Sequence, residues 1–182
     1  GTGINTATGE EIDETTGVGT YLYGREISID ATVDTGYTWS KWTSSDVEAI
    51  AETATQNPTI TIPAKDMTLT ANATANTNTA YKVYHYKMDL NGSYEGVTPE
   101  IEPKSGTTGD SVTAVPKTCE AGSDYEGFTY DEEASRNTIS GTIAGNGGTI
   151  LKVYYSRNKY NLNVIAGTGT ELLSGTSAND DS

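Results

Sequence analysis

The pattern that most constrains this chain is a period of two. "TYLYGREISIDATV" (20–33), "YTWSKWTS" (37–44), "PTITIPA" (58–64) and "MTLTANAT" (67–74) alternate β-branched, aliphatic or aromatic residues with polar ones. Successive side chains of a strand point to opposite faces, so this alternation specifies half-buried strands and conflicts with the 3.6-residue stripe of an amphipathic helix. The pattern returns in "AYKVYHYKMDL" (80–90), "GDSVTAVP" (109–116), "EGFTYDEE" (126–133), "NTISGTI" (137–143) and "TILKVYYSR" (149–157), punctuated by Gly, Pro and Asn. The fold class it predicts is mainly β. One segment breaks the pattern: "SSDVEAIAETATQNP" (44–58) predicts a short helix capped by Ser44 or Ser45, with Val47, Ile50 and Ala51 inward and Asn57-Pro58 as its stop. Asn91-Gly92 predicts a tight hairpin after the strand at 80–90.

Such strands need a core, and there is little to build one from. Hydrophobic residues make up 34% of the 182, with one Phe against twelve Tyr, which favours small units with thin cores over one large domain. The small polar run "ANATANTNTA" (71–80) marks the boundary between two of them. The units are therefore placed at 1–76, 77–158 and 159–182. The last is the start of a further unit, because Gly167-Thr168-Gly169 repeats Gly1-Thr2-Gly3 and is preceded by "YNLNVIA", in which Tyr160, Leu162, Val164 and Ala166 alternate as a strand. On this reading the first unit lacks the strand that should precede its own Gly-Thr-Gly.

The net charge is −14, with eleven Lys and Arg against twenty-five Asp and Glu, and long-range repulsion then argues against nucleic acid or anionic lipid as partners. No apolar run approaches the ~18 residues of a membrane helix, so no membrane insertion is expected in this segment. A start at Gly1 without a Met or a signal segment reads as a mature or excised piece. The single cysteine, Cys119, has no internal partner and is read as an inert thiol.

Side chains that could do chemistry are sparse. His85 is the sole histidine, which rules out a multi-histidine metal site, and it shares a strand face with Val83 as a structural residue would. Acidic pairs such as Glu10-Glu11 and Asp131-Glu132 follow from composition, and units this small leave little room for the cleft that glycoside hydrolysis needs. No enzyme activity and no cofactor are expected. Calcium is the one ion left open, because "DLNGSYEG" (89–96) echoes part of a calcium loop, with a β-turn as the simpler reading. "AGNGG" (144–148) is a turn and no phosphate loop, since no Lys-Ser/Thr follows it. Tyr37, Trp39 and Trp42 in "GYTWSKW" are ligand-contact candidates that could stack on sugar rings, set against a role as the bulkiest core groups of their unit. Lys82, Lys87 and Lys152 lie on strands, where an isopeptide bond to Asn would require joint burial.

Residues 1–76 resemble the divergent internalin-B-type repeat of bacterial surface proteins. The likeness rests on Tyr23-Gly24, then Gly36, Tyr37, Trp39 and Trp42, then Pro63 to Ala71. Residues 80–158 resemble the mucin-binding-protein-type repeat, through the strand around Val83 and His85, the Thr-Gly-Asp turn at 108–110, Gly127-Phe128-Thr129 and Leu151–Tyr155. The resemblances imply tandem β-grasp-like or β-sandwich-like modules in an elongated extracellular array at the cell surface, acting as a stalk or adhesive repeat. They also imply neighbouring copies or repeats of the same protein as partners, with host or environmental glycans as the alternative. Tyr160, Leu162, Val164 and Ala166 are the candidate assembly strand, able to fill an open sheet edge of the first module and so build a filament.

Overall fold

A computed structural model describes residues 2–169. Eleven strands run through them, and among the described residues there is no helix.

The first module contains β1 (Ile4–Gly9), β2 (Glu26–Val33), β3 (Tyr37–Ser44), β4 (Thr59–Thr61) and β5 (Leu69–Ala75). They form two sheets, one ordered β1-β2-β4 and the other a β3-β5 pair, with every pairing antiparallel. In β2 the alternation is carried through: Ile27, Ile29 and Ala31 are buried while the residues between them are exposed. Trp42 and Ala71 complete the small core, with Ile4, Trp39, Ile60 and Leu69 packed partly against it.

The helix expected over 44–58 is not formed. Its capping chemistry is present, with the Asp46 carboxylate accepting from the N–H groups of Glu48 and Ala49 at 3.0 and 3.2 Å, but only a single turn follows. Thr53 then pairs with Trp42 through backbone bonds in both directions. The carbonyls of Ala54 and Gln56 accept the indole N–H groups of Trp39 and Trp42 at 2.7 and 2.8 Å. Those tertiary bonds outcompete the ladder of a short helix, which is marginal by itself. Val47, expected inward, is exposed.

The second module contains β6 (Thr79–Lys87), β7 (Glu100–Gly106), β8 (Ser111–Thr113), β9 (Phe128–Tyr130), β10 (Ser140–Thr142) and β11 (Ile150–Arg157). Its main sheet is ordered β7-β6-β11-β9, with β6 and β11 parallel and the flanking pairs antiparallel. A small β8-β10 pair accompanies it. Val83, Leu151, Val153, Tyr155 and Phe128 bury one face of the sheet against Ala114 and Tyr125. The tight hairpin expected at Asn91-Gly92 is instead a long connection over 88–99. Asp89 explains it: its carboxylate accepts the N–H groups of Asn91 and Ser93 at 3.0 and 2.7 Å, winding the chain into a local loop before β7 begins.

The chain crosses from β5 to β6 through Asn76, whose N–H donates to Gly36 O and whose carbonyl accepts from Thr108 N–H, both at 2.9 Å. The hydroxyls of Thr79 and Thr108 meet at 2.7 Å in a buried pair. Here Gly36 of the first module packs on Gly145 of the second. A Cβ on Gly145 would sit 1.8 Å from the carbonyl oxygen of Thr35, so only glycine permits this approach.

Candidate functional site

The candidate assembly segment lies beyond β11. Tyr160, Leu162, Val164 and Ala166 are all exposed, Leu162 to 87%, and Tyr160–Ala166 forms no strand ladder with any described residue. A strand needs backbone partners on a neighbour, and the alternation of these residues supplies only the two faces. Residues 170–182, the remainder of the expected third unit, lie outside the described residues.

Both modules have outer strands that could receive such a segment, and in the first module two of them lie close together. β1 is an outer strand of its sheet and β5 is paired on one side only, by β3. The two strands approach one another without pairing. Ala7, opposite the fully buried Ala31, stands on the core-facing side of β1 yet is exposed, so this edge has apolar surface open to solvent.

The three aromatic candidates are separated in role. Trp42 is 5% exposed and belongs to the core, and Trp39 meets it edge to face at 5.7 Å between centroids. Both indole N–H groups are bound to backbone carbonyls. Trp39 remains half-buried and borders a shallow groove with Thr38, Ser40, Thr74 and Asn76. Tyr37 lies over Gly3, where a Cβ would fall 2.2 Å from its ring, so the ring is engaged in packing the start of β1.

His85 sits in the core of the second module, 1% exposed. Lys117 N–H donates to the Tyr155 hydroxyl at 2.8 Å, which leaves the hydroxyl proton for His85 Nδ1 at 2.9 Å. His85 Nε2–H is then assigned as donor to Glu102 at 3.2 Å. Burial lowers the imidazole pKa, against the Glu102 hydrogen bond, which raises it. Glu102 is held at about 2, chiefly by its hydrogen bond to Lys104 and further by His85 and Lys117, against the penalty of burial. Burial pushes the Tyr155 phenol up to about 12. The cluster ties the segment at 117 and Tyr125, which donates to Glu100 at 2.8 Å, onto the sheet. Sequence reading found the histidine but none of its partners, because Tyr155 is 70 positions away and pairing depends on the sheet order.

Lys87 is likewise occupied: its ammonium donates to Asp124 O at 2.6 Å and stands 3.9 Å above the Tyr125 ring. At the loop 89–96 the Asp89 carboxylate is bonded to backbone N–H groups, and among the described residues no group of three or more His, Cys, Asp or Glu gathers to hold a metal.

Residues 4–77 match the family model described as the divergent InlB B-repeat domain. This agrees with the resemblance read from residues 1–76 and supports a β-rich repeat of the kind that occurs in bacterial surface proteins. The match does not extend past residue 77. No curated protein and no solved structure matches the chain.

Proposed function

We propose that this chain is a non-enzymatic structural and adhesive segment of an extracellular bacterial surface protein, joined head to tail to copies or repeats of itself by strand donation from Tyr160–Ala166. The observation that carries the reading is the coexistence, in one molecule, of an exposed period-two segment without a ladder and of a small β module with unpaired strand edges. Free edges recruit strands through backbone hydrogen bonds, and a donor and acceptor on different surfaces of the same molecule give open-ended growth rather than a closed dimer. The family match to residues 4–77 supports the repeat character. The one histidine and both tryptophans are engaged in packing and internal hydrogen bonds, which fits a scaffold rather than a catalyst. No cofactor is needed on this reading.

The test compares the full chain with a chain deleted after Lys159, by size-exclusion light scattering and negative-stain microscopy. Concentration-dependent polymers that vanish on deletion support strand donation; monomers in both cases refute it. A second reading, glycan binding, is favoured by one observation: the half-buried Trp39 beside the hydroxyls of Thr38, Ser40 and Thr74 and the amide of Asn76. Saturable binding on a glycan array that is lost in Trp39→Ala would favour it, and an array without signal would dismiss it.

A further inference from the structure

Which edge receives the donor, and in which direction, can be argued from the topology. The start of β1 and the end of β5 lie together at the Asp34–Gly36 turn, where Asp34 N–H donates to Gly3 O and Asn76 N–H to Gly36 O, both at 2.9 Å. β1 therefore runs away from this turn and β5 toward it, so the two unpaired edges are antiparallel to each other.

The lips of this gap are lined by small residues. On β5, Ala73 and Ala75 share the face of the buried Ala71, and on β1 the core-facing positions after Ile4 are Ala7 and Gly9, opposite Ala31 and Ile29, with the Ile12 side chain lying over Gly9. Ala7, Ala73 and Ala75 give an incoming strand small groups to pack against once β1 and β5 part. Tyr160, Leu162, Val164 and Ala166 provide such a face, and all four are exposed in the single chain. Burying a Leu or Val side chain is worth about 1.5–3 kcal/mol each, which is the gain available to the acceptor's thin core.

Direction follows from the second module. It packs on the first at the Gly36 end, through Gly145 and Thr108, and β6 leaves from that end. Because β11 is parallel to β6, Arg157 emerges at the end opposite the first module, and residues 160–166 follow from there. In a second copy placed next in line with the same orientation, the nearest end of its first module is the one remote from Gly36. A strand entering there without reversing runs toward Gly36, parallel to β5 and antiparallel to β1.

Resting on the strand-donation reading above, we infer that residues 160–166 of one copy insert between β1 and β5 of the next, antiparallel to β1 and parallel to β5. Insertion joins the two sheets of the first module into one, ordered β4-β2-β1-donor-β5-β3. Paired strands lie about 4.8 Å apart, so β1 and β5 must part at their nearest approach to admit the newcomer. The other outer strands of the two larger sheets, β4 in the first module and β7 and β9 in the second, make no comparable approach to another unpaired strand.

Cysteine pairing between full-length chains tests the placement, with Cys119→Ser in every variant to remove the native thiol. A donor chain carrying Asn163→Cys is mixed with acceptors carrying Thr8→Cys on β1, Thr74→Cys on β5, Thr61→Cys on β4 or Ser105→Cys on β7, all exposed positions. Under mild oxidation, docking in the gap should make both Thr8→Cys and Thr74→Cys cross-link about tenfold more than the two controls, since proximity raises the local thiol concentration. Polymers whose cross-links fall on Thr61→Cys or Ser105→Cys, or that show none at the gap, overturn this placement and leave strand donation standing. Chains that neither polymerise nor cross-link overturn both.

Discussion

The two modules are built from the same alternating strands, yet one gathers its main strands in a single sheet and the other divides them between two. In the second, the central strand β11 is hydrogen-bonded on both sides, and the core includes fully buried residues up to the size of tyrosine. In the first, five strands are divided between two sheets and the core relies on two alanines among its five buried residues. The difference teaches that a period-two pattern fixes which face of a strand is buried, while strand order decides whether that face has anything to be buried against. A module whose two sheets bring unpaired edges near each other has a place for an added strand; a module whose main strands share one sheet has none between them.

Both tryptophans are in the first module, so indole fluorescence reports on that module alone, while most tyrosines are in the second, on which the tyrosine signal chiefly reports. The largest expected effect on the contrast is from Leu151→Ala, a residue 1% exposed. It should cost the second module about 3 kcal/mol, seen as a lowered denaturant midpoint in the tyrosine signal with a much smaller change in the tryptophan signal. Equal shifts in both signals would mean that the modules unfold as one unit. Gly145→Ala should cost about 2 kcal/mol by overpacking the junction against Thr35, and should broaden the inter-module distance distribution measured by paired spin labels. An unchanged distribution would show that the junction does not depend on the close approach of Gly36 and Gly145.

Acid should separate the modules next. His85 has a folded pKa below its usual 6.5, so the unfolded chain binds its proton more readily. The stability it contributes is complete above about pH 6.5 and is lost as pH falls through the folded value. Glu102, near 2 against 4.5, works in the same direction in a lower window, from about pH 4.5 downward. The tyrosine signal should therefore lose stability from about pH 6.5, and in His85→Gln the loss above pH 5 should disappear; its persistence would place the sensitivity elsewhere. Tyr155→Phe removes the acceptor of Lys117 N–H and the donor to His85, for about 1.5 kcal/mol. The smallest effect is expected from Lys41→Ala in the first module. Its pair with Glu52 at 2.5 Å is solvent-exposed, so the tryptophan signal should shift by less than about 1 kcal/mol.

Much of the strand inventory was legible because alternation is local: Ile27, Ile29 and Ala31 could be read as inward before any partner was known. The segment 44–58 was misread for a reason that is equally physical. Its helical spacing and its capping residues were real, but the carbonyls that a helix would use were claimed by indoles from β3, and nothing in the local spacing announces that. Asp89 similarly turned a hairpin signal into a loop. The parallel pairing of β6 with β11 was hidden because parallel and antiparallel strands of this composition read alike. The exposed Tyr160–Ala166 was singled out by its pattern, whereas the gap between β1 and β5 needed the topology, since it is made by strands 60 or more positions apart.

The parallel pairing also bears on what happens when the chain is pulled. β6 opens the second module and β11 ends it, and the two are neighbours over Lys82–Lys87 and Ile150–Tyr155. Tension applied from both sides of the module acts along these strands in opposite senses, so the evenly spaced bonds of the parallel ladder share the load together instead of parting one after another. Such a joint is loaded as a lap seam is, in shear across its whole length, and a stalk made of these modules would carry force through the backbone of its two central strands.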